Sequence, residues 1–178
     1  MCWIFAYKGG KNPVPLLIHG LEKLEYRGYD SAGLFVMDTN NWLELYIRST
    51  GKVSQLISKL EWAGESIKQW IGIAHSRRAT HGGIKEVNTH PHHDINKRYY
   101  VVHNGVIEDY HKLKTELEKN WYQFYSETDT EVIAALLDMY KSDDFLKTVE
   151  IVINKLVGAF WLVIIDTKYP DTLIGFRR

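Results

Sequence analysis

The apolar segments of this 178-residue chain are short, and their order limits its architecture. Ile4–Tyr7 is a short aromatic and β-branched run broken by Gly9-Gly10, and it predicts a strand at the very start. Apolar positions 16, 17, 21 and 24 then follow at helical spacing, with Pro15 suited to a first turn. Leu34–Met37 and Leu43–Arg48 predict a hairpin around Asp38-Thr39-Asn40-Asn41. Val53–Leu60 predicts a helix, and Ile71–His75 and Tyr99–His103 predict strands, the first running into a glycine-rich loop and the second into Asn104-Gly105. Helices are predicted over 110–118, 128–140 and 144–156, with Thr128 and Glu131 spaced as a capping box. Ala159–Asp166 and Thr172–Phe176 close the chain as strands. Strands at both ends around a helical middle predict packed α+β layers without strict βαβ alternation.

The length suits one domain, with no repeat or linker within it. The longest apolar stretch, Leu156–Ile165, is far shorter than the roughly 20 residues of a membrane helix. No signal-peptide pattern is present: the apolar run from Cys2 has no basic segment before it. Lys and Arg total 22, as do Asp and Glu. That balance argues against nucleic acid or an anionic membrane as the main partner. The lone cysteine, Cys2, rules out an intrachain disulfide and predicts a reducing, cytoplasmic setting.

Several residues are candidates for chemistry. Cys2 reads either as a small buried hydrophobe or as a nucleophile. Removal of Met1 would leave its thiol beside a free α-amine of pKa about 7.7–8.0, which can act as a base at neutral pH. Six of the eight histidines fall at 75, 81, 90, 92, 93 and 103, in no standard metal spacing, and read as polar loop and strand-end residues. Asn104-Gly105 is either a turn or an oxyanion hole made by a side-chain amide and an adjacent backbone N–H. Arg77-Arg78 leads into a glycine-rich loop that lacks the phosphate-loop pattern, and an arginine there can instead clamp a carboxylate. Asp129 either complements a helix dipole or holds a substrate ammonium.

Together these segments resemble the glutaminase domain of glutamine–fructose-6-phosphate aminotransferases, class II glutamine amidotransferases of the N-terminal nucleophile hydrolase superfamily. The carriers are Met1-Cys2, Leu24-Glu25-Tyr26-Arg27-Gly28-Tyr29-Asp30-Ser31-Ala32-Gly33, Gly72-Ile73-Ala74-His75, Ala79-Thr80-His81-Gly82, Val87-Asn88-Thr89-His90-Pro91, His103-Asn104-Gly105 and Ser126-Glu127-Thr128-Asp129-Thr130-Glu131. The resemblance implies a four-layer αββα sandwich spanning residues 1–178. It implies hydrolysis of L-glutamine by Cys2, an oxyanion hole at Asn104 and Gly105, a carboxylate site at Arg77 and an ammonium site at Asp129. Thr80 and His81 would line the glutamine pocket. No metal or organic cofactor is implied. The expected partners are L-glutamine and C-terminal sugar-isomerase domains, absent from this chain, that take up the ammonia for glucosamine 6-phosphate synthesis from fructose 6-phosphate.

The chain departs from the family pattern at three places. Trp3 and Trp121 stand where the family has glycine, and Arg78 where it has tryptophan. Trp3 is expected to crowd the nucleophile, and Arg78 to alter ammonia gating. The chain also stops after Arg178, just before an expected glycine. One cause would account for both tryptophans and the end point: a genome in which UGA encodes glycine, with a reading frame that continues into the isomerase domains. The competing readings are an amidophosphoribosyltransferase-like or asparagine-synthetase-like glutaminase, disfavoured by the tyrosine-rich loop and the SETDTE run, and a catalytically impaired glutamine-binding module.

Overall fold

The computed structural model describes residues 2–38, 42–60, 70–78 and 82–178. Two four-stranded antiparallel sheets face each other. The first comprises β1 (Trp3–Gly9), β2 (Ser31–Asp38), β3 (Glu44–Thr50) and β4 (Trp70–Arg77), in the order β1-β4-β2-β3. The second comprises β5 (His92–His93), β6 (Tyr99–Gly105), β7 (Phe160–Asp166) and β8 (Leu173–Arg177), in that order. Helices α1 (Pro13–Leu24) and α2 (Val53–Leu60) belong with the first sheet, and α3 (Tyr110–Lys119), α4 (Thr130–Met139) and α5 (Phe145–Ile153) with the second.

The layering follows from the two-residue side-chain period of a strand. In β2, Leu34 and Val36 pack with Leu17, Leu21 and Leu56 of the helices, whereas Phe35 and Met37 join Tyr100, Val102 and Ile165 between the sheets. In β6, Tyr99 and Val101 turn the other way, into a core with Leu117, Ile133 and Val149. Strands apolar on both faces need a cover on each, and the result is helix, sheet, sheet, helix. The Phe35 and Tyr100 rings stack at 3.5 Å across the central layer.

Most expected elements form, with shifted ends. The hairpin forms as β2 and β3, while its turn at 39–41 lies outside the described residues. The last helix ends at Ile153, short of the predicted 156. The capping box does not form: α4 starts at Thr130, and the Glu131 carboxylate instead accepts from the Tyr125 and Ser126 amides at 2.9 and 2.7 Å. Strand β5 carries no sequence signal at two residues long. Among the described residues no helix is long and apolar enough to cross a membrane.

Candidate functional site

Cys2 immediately precedes β1, and β1 pairs antiparallel with β4, Trp3 opposite Ser76 and Ile4 opposite His75. That register brings the cysteine to the end of β4. The Arg78 amide donates to Cys2 Sγ at 3.2 Å, and Sγ lies 3.5 Å from the Arg78 carbonyl.

The second sheet completes the site. Asn104 and Gly105 end β6, and Asn104 Nδ2 donates to the Cys2 carbonyl at 3.0 Å. Gly105 has φ +124°, and a Cβ there would lie 2.3 Å from the Ala159 carbonyl oxygen. Only glycine is accommodated at that position. Asp129, just before α4, accepts from the Ile107 amide through Oδ2 at 3.1 Å, and its Oδ1 lies 3.9 Å from His103 Nδ1. Arg77 is buried at the end of β4, where desolvation lowers its pKa and the nearby Cys2, Asp30, Asp129 and Glu127 oppose that fall.

Cys2, Arg77, Asn104, Gly105 and Asp129 all line one cavity of about 760 Å³. Thr80 and His81 lie outside the described residues. The loop that follows them is tied to the Ser126–Glu131 segment. Glu127 accepts from the Gly83 amide at 3.2 Å, Asn88 Nδ2 at 2.8 Å and Lys85 Nζ at 2.8 Å. The bonds with Lys85, Asn88 and Gly83 hold its carboxyl down at about 2. Trp3 and Trp161 also form cavity wall, and the Arg27 guanidinium lies 5.4 Å over the Trp3 ring. The expected crowding by Trp3 therefore leaves a cavity of the size that holds small ligands. The Arg78 side chain is exposed, and it is the backbone of this residue that meets the thiol.

His75, His92 and His103 fall in strands and His90 just before one, and all four are buried. His90 and His103 share Thr130 Oγ1 at 3.0 Å each, and His92 meets Thr128 Oγ1 at 3.0 Å. Burial pushes His75 down to about 3 and His90 and His92 well below their ordinary value, so all three are neutral. Among the described residues no group of His, Cys, Asp and Glu is arranged to hold a metal ion.

Sequence reasoning missed His75, His90, His103, Thr128, Thr130 and Trp161 as cavity or near-cavity residues. For His75 a signal existed. Ile71 and Ile73 face the layer between the sheets, so the strand period carries His75 and Arg77 to that face, and in β6 it carries Asn104 there after Tyr100 and Val102.

Two antiparallel sheets enclosed by helices, with a cysteine opening the first strand at the mouth of a cleft, make this an αββα sandwich of the N-terminal nucleophile hydrolase type. Within it the chain belongs to the glutamine amidotransferase domain family, whose sequence profile matches residues 76–177. It is 40% identical over 181 residues to the glutamine–fructose-6-phosphate aminotransferase (isomerizing) of Bacteroides thetaiotaomicron, a match covering 100% of this chain and 29% of that protein. Identity to the protein of the same name from Buchnera aphidicola subsp. Acyrthosiphon pisum is 46% over 180 residues, covering 99% of this chain and 29% of the relative. The chain thus spans less than a third of the length of these relatives. Solved structures share the fold. The glutamine phosphoribosylpyrophosphate amidotransferase of B. subtilis, complexed with ADP and GMP, matches with TM-score 0.76 and 23% identity over 94% of this chain and 35% of its own. The allosteric regulatory enzyme of purine biosynthesis matches with TM-score 0.80 and 24% identity over 94% of this chain and 36% of its own.

Proposed function

We propose that this chain hydrolyses L-glutamine to glutamate and ammonia through a thioester on Cys2. The observation that carries the reading is Cys2 itself: its thiol sits on the Arg78 amide and its carbonyl on the Asn104 amide, in a cavity that Arg77 and Asp129 also line. After removal of Met1, the Cys2 α-amine takes the thiol proton, and sulfur attacks the side-chain amide carbon of glutamine. The oxyanion that forms is met by the second Nδ2 hydrogen of Asn104, the first being engaged by the Cys2 carbonyl, and by the Gly105 N–H. The C–N bond breaks as the α-ammonium returns its proton to the departing nitrogen, and ammonia leaves. Water, deprotonated by the same amine, then attacks the thioester, releasing glutamate and restoring the thiol. Arg77 pairs with the substrate α-carboxylate and Asp129 with its α-ammonium. Thr80 and His81 are assigned, from the family motif alone, as further glutamine-binding residues.

The named relatives extend the reading. Residues 1–178 serve as the glutaminase domain of a cytoplasmic aminotransferase, delivering ammonia to sugar-isomerase domains that convert fructose 6-phosphate to glucosamine 6-phosphate. The test is glutamate release by the purified chain, its N-terminus checked by intact mass. Turnover that disappears in Cys2→Ala and in a form retaining Met1 supports the enzyme. Glutamine binding with no turnover by the Met1-free chain supports the binding module instead.

A further inference from the structure

The Asn104 amide bridges two groups. Its Nδ2 reaches the Cys2 carbonyl at 3.0 Å, and its Oδ1 lies 2.8 Å from His75 Nε2. An amide looks alike from both ends, and only its partners decide which way it faces. A carbonyl oxygen can only accept, so the Cys2 side demands the NH2 end. Oδ1 can only accept as well, so His75 must present Nε2–H. Were the amide turned over, Oδ1 would face the Cys2 carbonyl, acceptor against acceptor, and Nδ2 would face the Nε2–H, donor against donor.

His75 is itself held. It is fully buried on the inward face of β4, with the His90 ring 4.2 Å away. His90 can stand there because Gly33, opposite His75 in β2, has no Cβ: one would come within 2.3 Å of the His90 carbonyl oxygen. Gly33, His90 and His75 thus form a packed chain ending at the amide.

We propose that His75 is the positioning residue for Asn104, fixing the amide so that its NH2 end faces the nucleophile and the oxygen that develops charge. The proposal rests on the glutaminase reading. His75 need not touch the substrate: it acts through Asn104. The electrostatic consequence is favourable, because a buried neutral imidazole orients the amide without placing a positive charge beside the Cys2 α-ammonium formed during attack.

The test is a double-mutant cycle on the whole chain, reading kcat and KM for glutamate release from His75→Leu, Asn104→Ala and the pair. Loss of an oxyanion donor lowers kcat by roughly 100- to 1,000-fold in a known case. The expected result is that H75L lowers kcat at least about tenfold with KM little changed, that H75L lowers it no further on top of N104A, and that His75→Gln, whose amide N–H can still reach Oδ1, recovers most of the rate. If H75L does not fold, His75→Asn takes its place, polar but too short to reach. Wild-type kcat in H75L or in His75→Asn overturns the proposal, and so do losses that multiply fully in the pair, because a merely structural role would be independent of Asn104. Failure of the underlying reading looks different: a wild-type chain that releases no glutamate, or an N104A variant as fast as wild type, overturns both.

Discussion

Trp121 is a bulky residue in a backbone conformation that suits glycine. It follows α3 with φ +66°. The Trp121 amide donates to the Glu118 carbonyl at 3.0 Å, and the Tyr122 amide to the Leu117 carbonyl at 3.1 Å. These two bonds define a Schellman cap with Trp121 at its left-handed position, where glycine is the usual occupant. The left-handed region costs an L-residue roughly 1–2 kcal/mol. The indole recovers none of this by burial, because Trp121 is 92% exposed. Replacing it with glycine removes the penalty but frees the unfolded chain, which returns about 0.4–1 kcal/mol. The net expectation for Trp121→Gly is a gain of about 1 kcal/mol, or about 2–4 °C in Tm for a domain of this size. Trp121→Ala retains the Cβ and therefore the penalty, so its Tm is expected to stay below that of the glycine variant. Thermal unfolding of the three proteins followed by circular dichroism decides. A glycine variant that melts below wild type, or an alanine variant that gains as much, refutes the reasoning. Trp42, at φ +61° and 58% exposed, offers a second site for the same comparison. The family-glycine reading of position 121 is consistent with this backbone, and its codon tests it: UGA agrees, UGG contradicts.

Asp129→Asn keeps an acceptor for the Ile107 amide but removes the negative charge. It is expected to raise KM for glutamine tenfold or more with a smaller change in kcat, and an unchanged KM would remove Asp129 from the ammonium site. Gly105→Ala places a Cβ 2.3 Å from the Ala159 carbonyl oxygen at φ +124°, and chemical denaturation should show a loss of about 3 kcal/mol or more. Stability should also fall with acid. His75, His90 and His92 stay neutral in the fold while the unfolded chain protonates below about pH 6.5, so their contribution is full above that pH and is lost as pH falls. At pH 5.5 the loss is up to about 1.4 kcal/mol per histidine, partly offset by Glu131 and Asp94, whose carboxyls are raised by burial. Urea unfolding at pH 7.5 and 5.5 checks it, and equal stability at the two would contradict the burial of the imidazoles.

How much of this was legible in the sequence depends on range. Local signals sufficed for β2, β6 and α2, where alternation or helical spacing is strong and glycines mark the ends. Cys2, Arg77, Asn104, Gly105 and Asp129 were legible as residue types next to turns and through their family motifs, yet nothing local joins them. The joining depends on pairing β1 with β4 and stacking one sheet on the other, contacts between residues as much as 102 positions apart, as in Asn104 to Cys2. The burial of the histidines was not legible for the same reason. His90, His92 and His103 find their hydroxyl partners in Thr128 and Thr130, 27 to 40 residues away, and a buried polar residue needs such partners. The capping box failed on a nearer competition: Glu131 satisfies the amides of Tyr125 and Ser126 instead.

In the proposed reaction the bond to glutamine forms at Cys2, and that bond can be read directly. The Met1-free chain is mixed with radiolabelled glutamine, quenched in acid within a turnover, and digested. Label is expected on the peptide that begins at Cys2, stable in acid, released by hydroxylamine as a thioester is, and absent from Cys2→Ala. Glutamate release that continues with no label on that peptide, or with label on another residue, would contradict it.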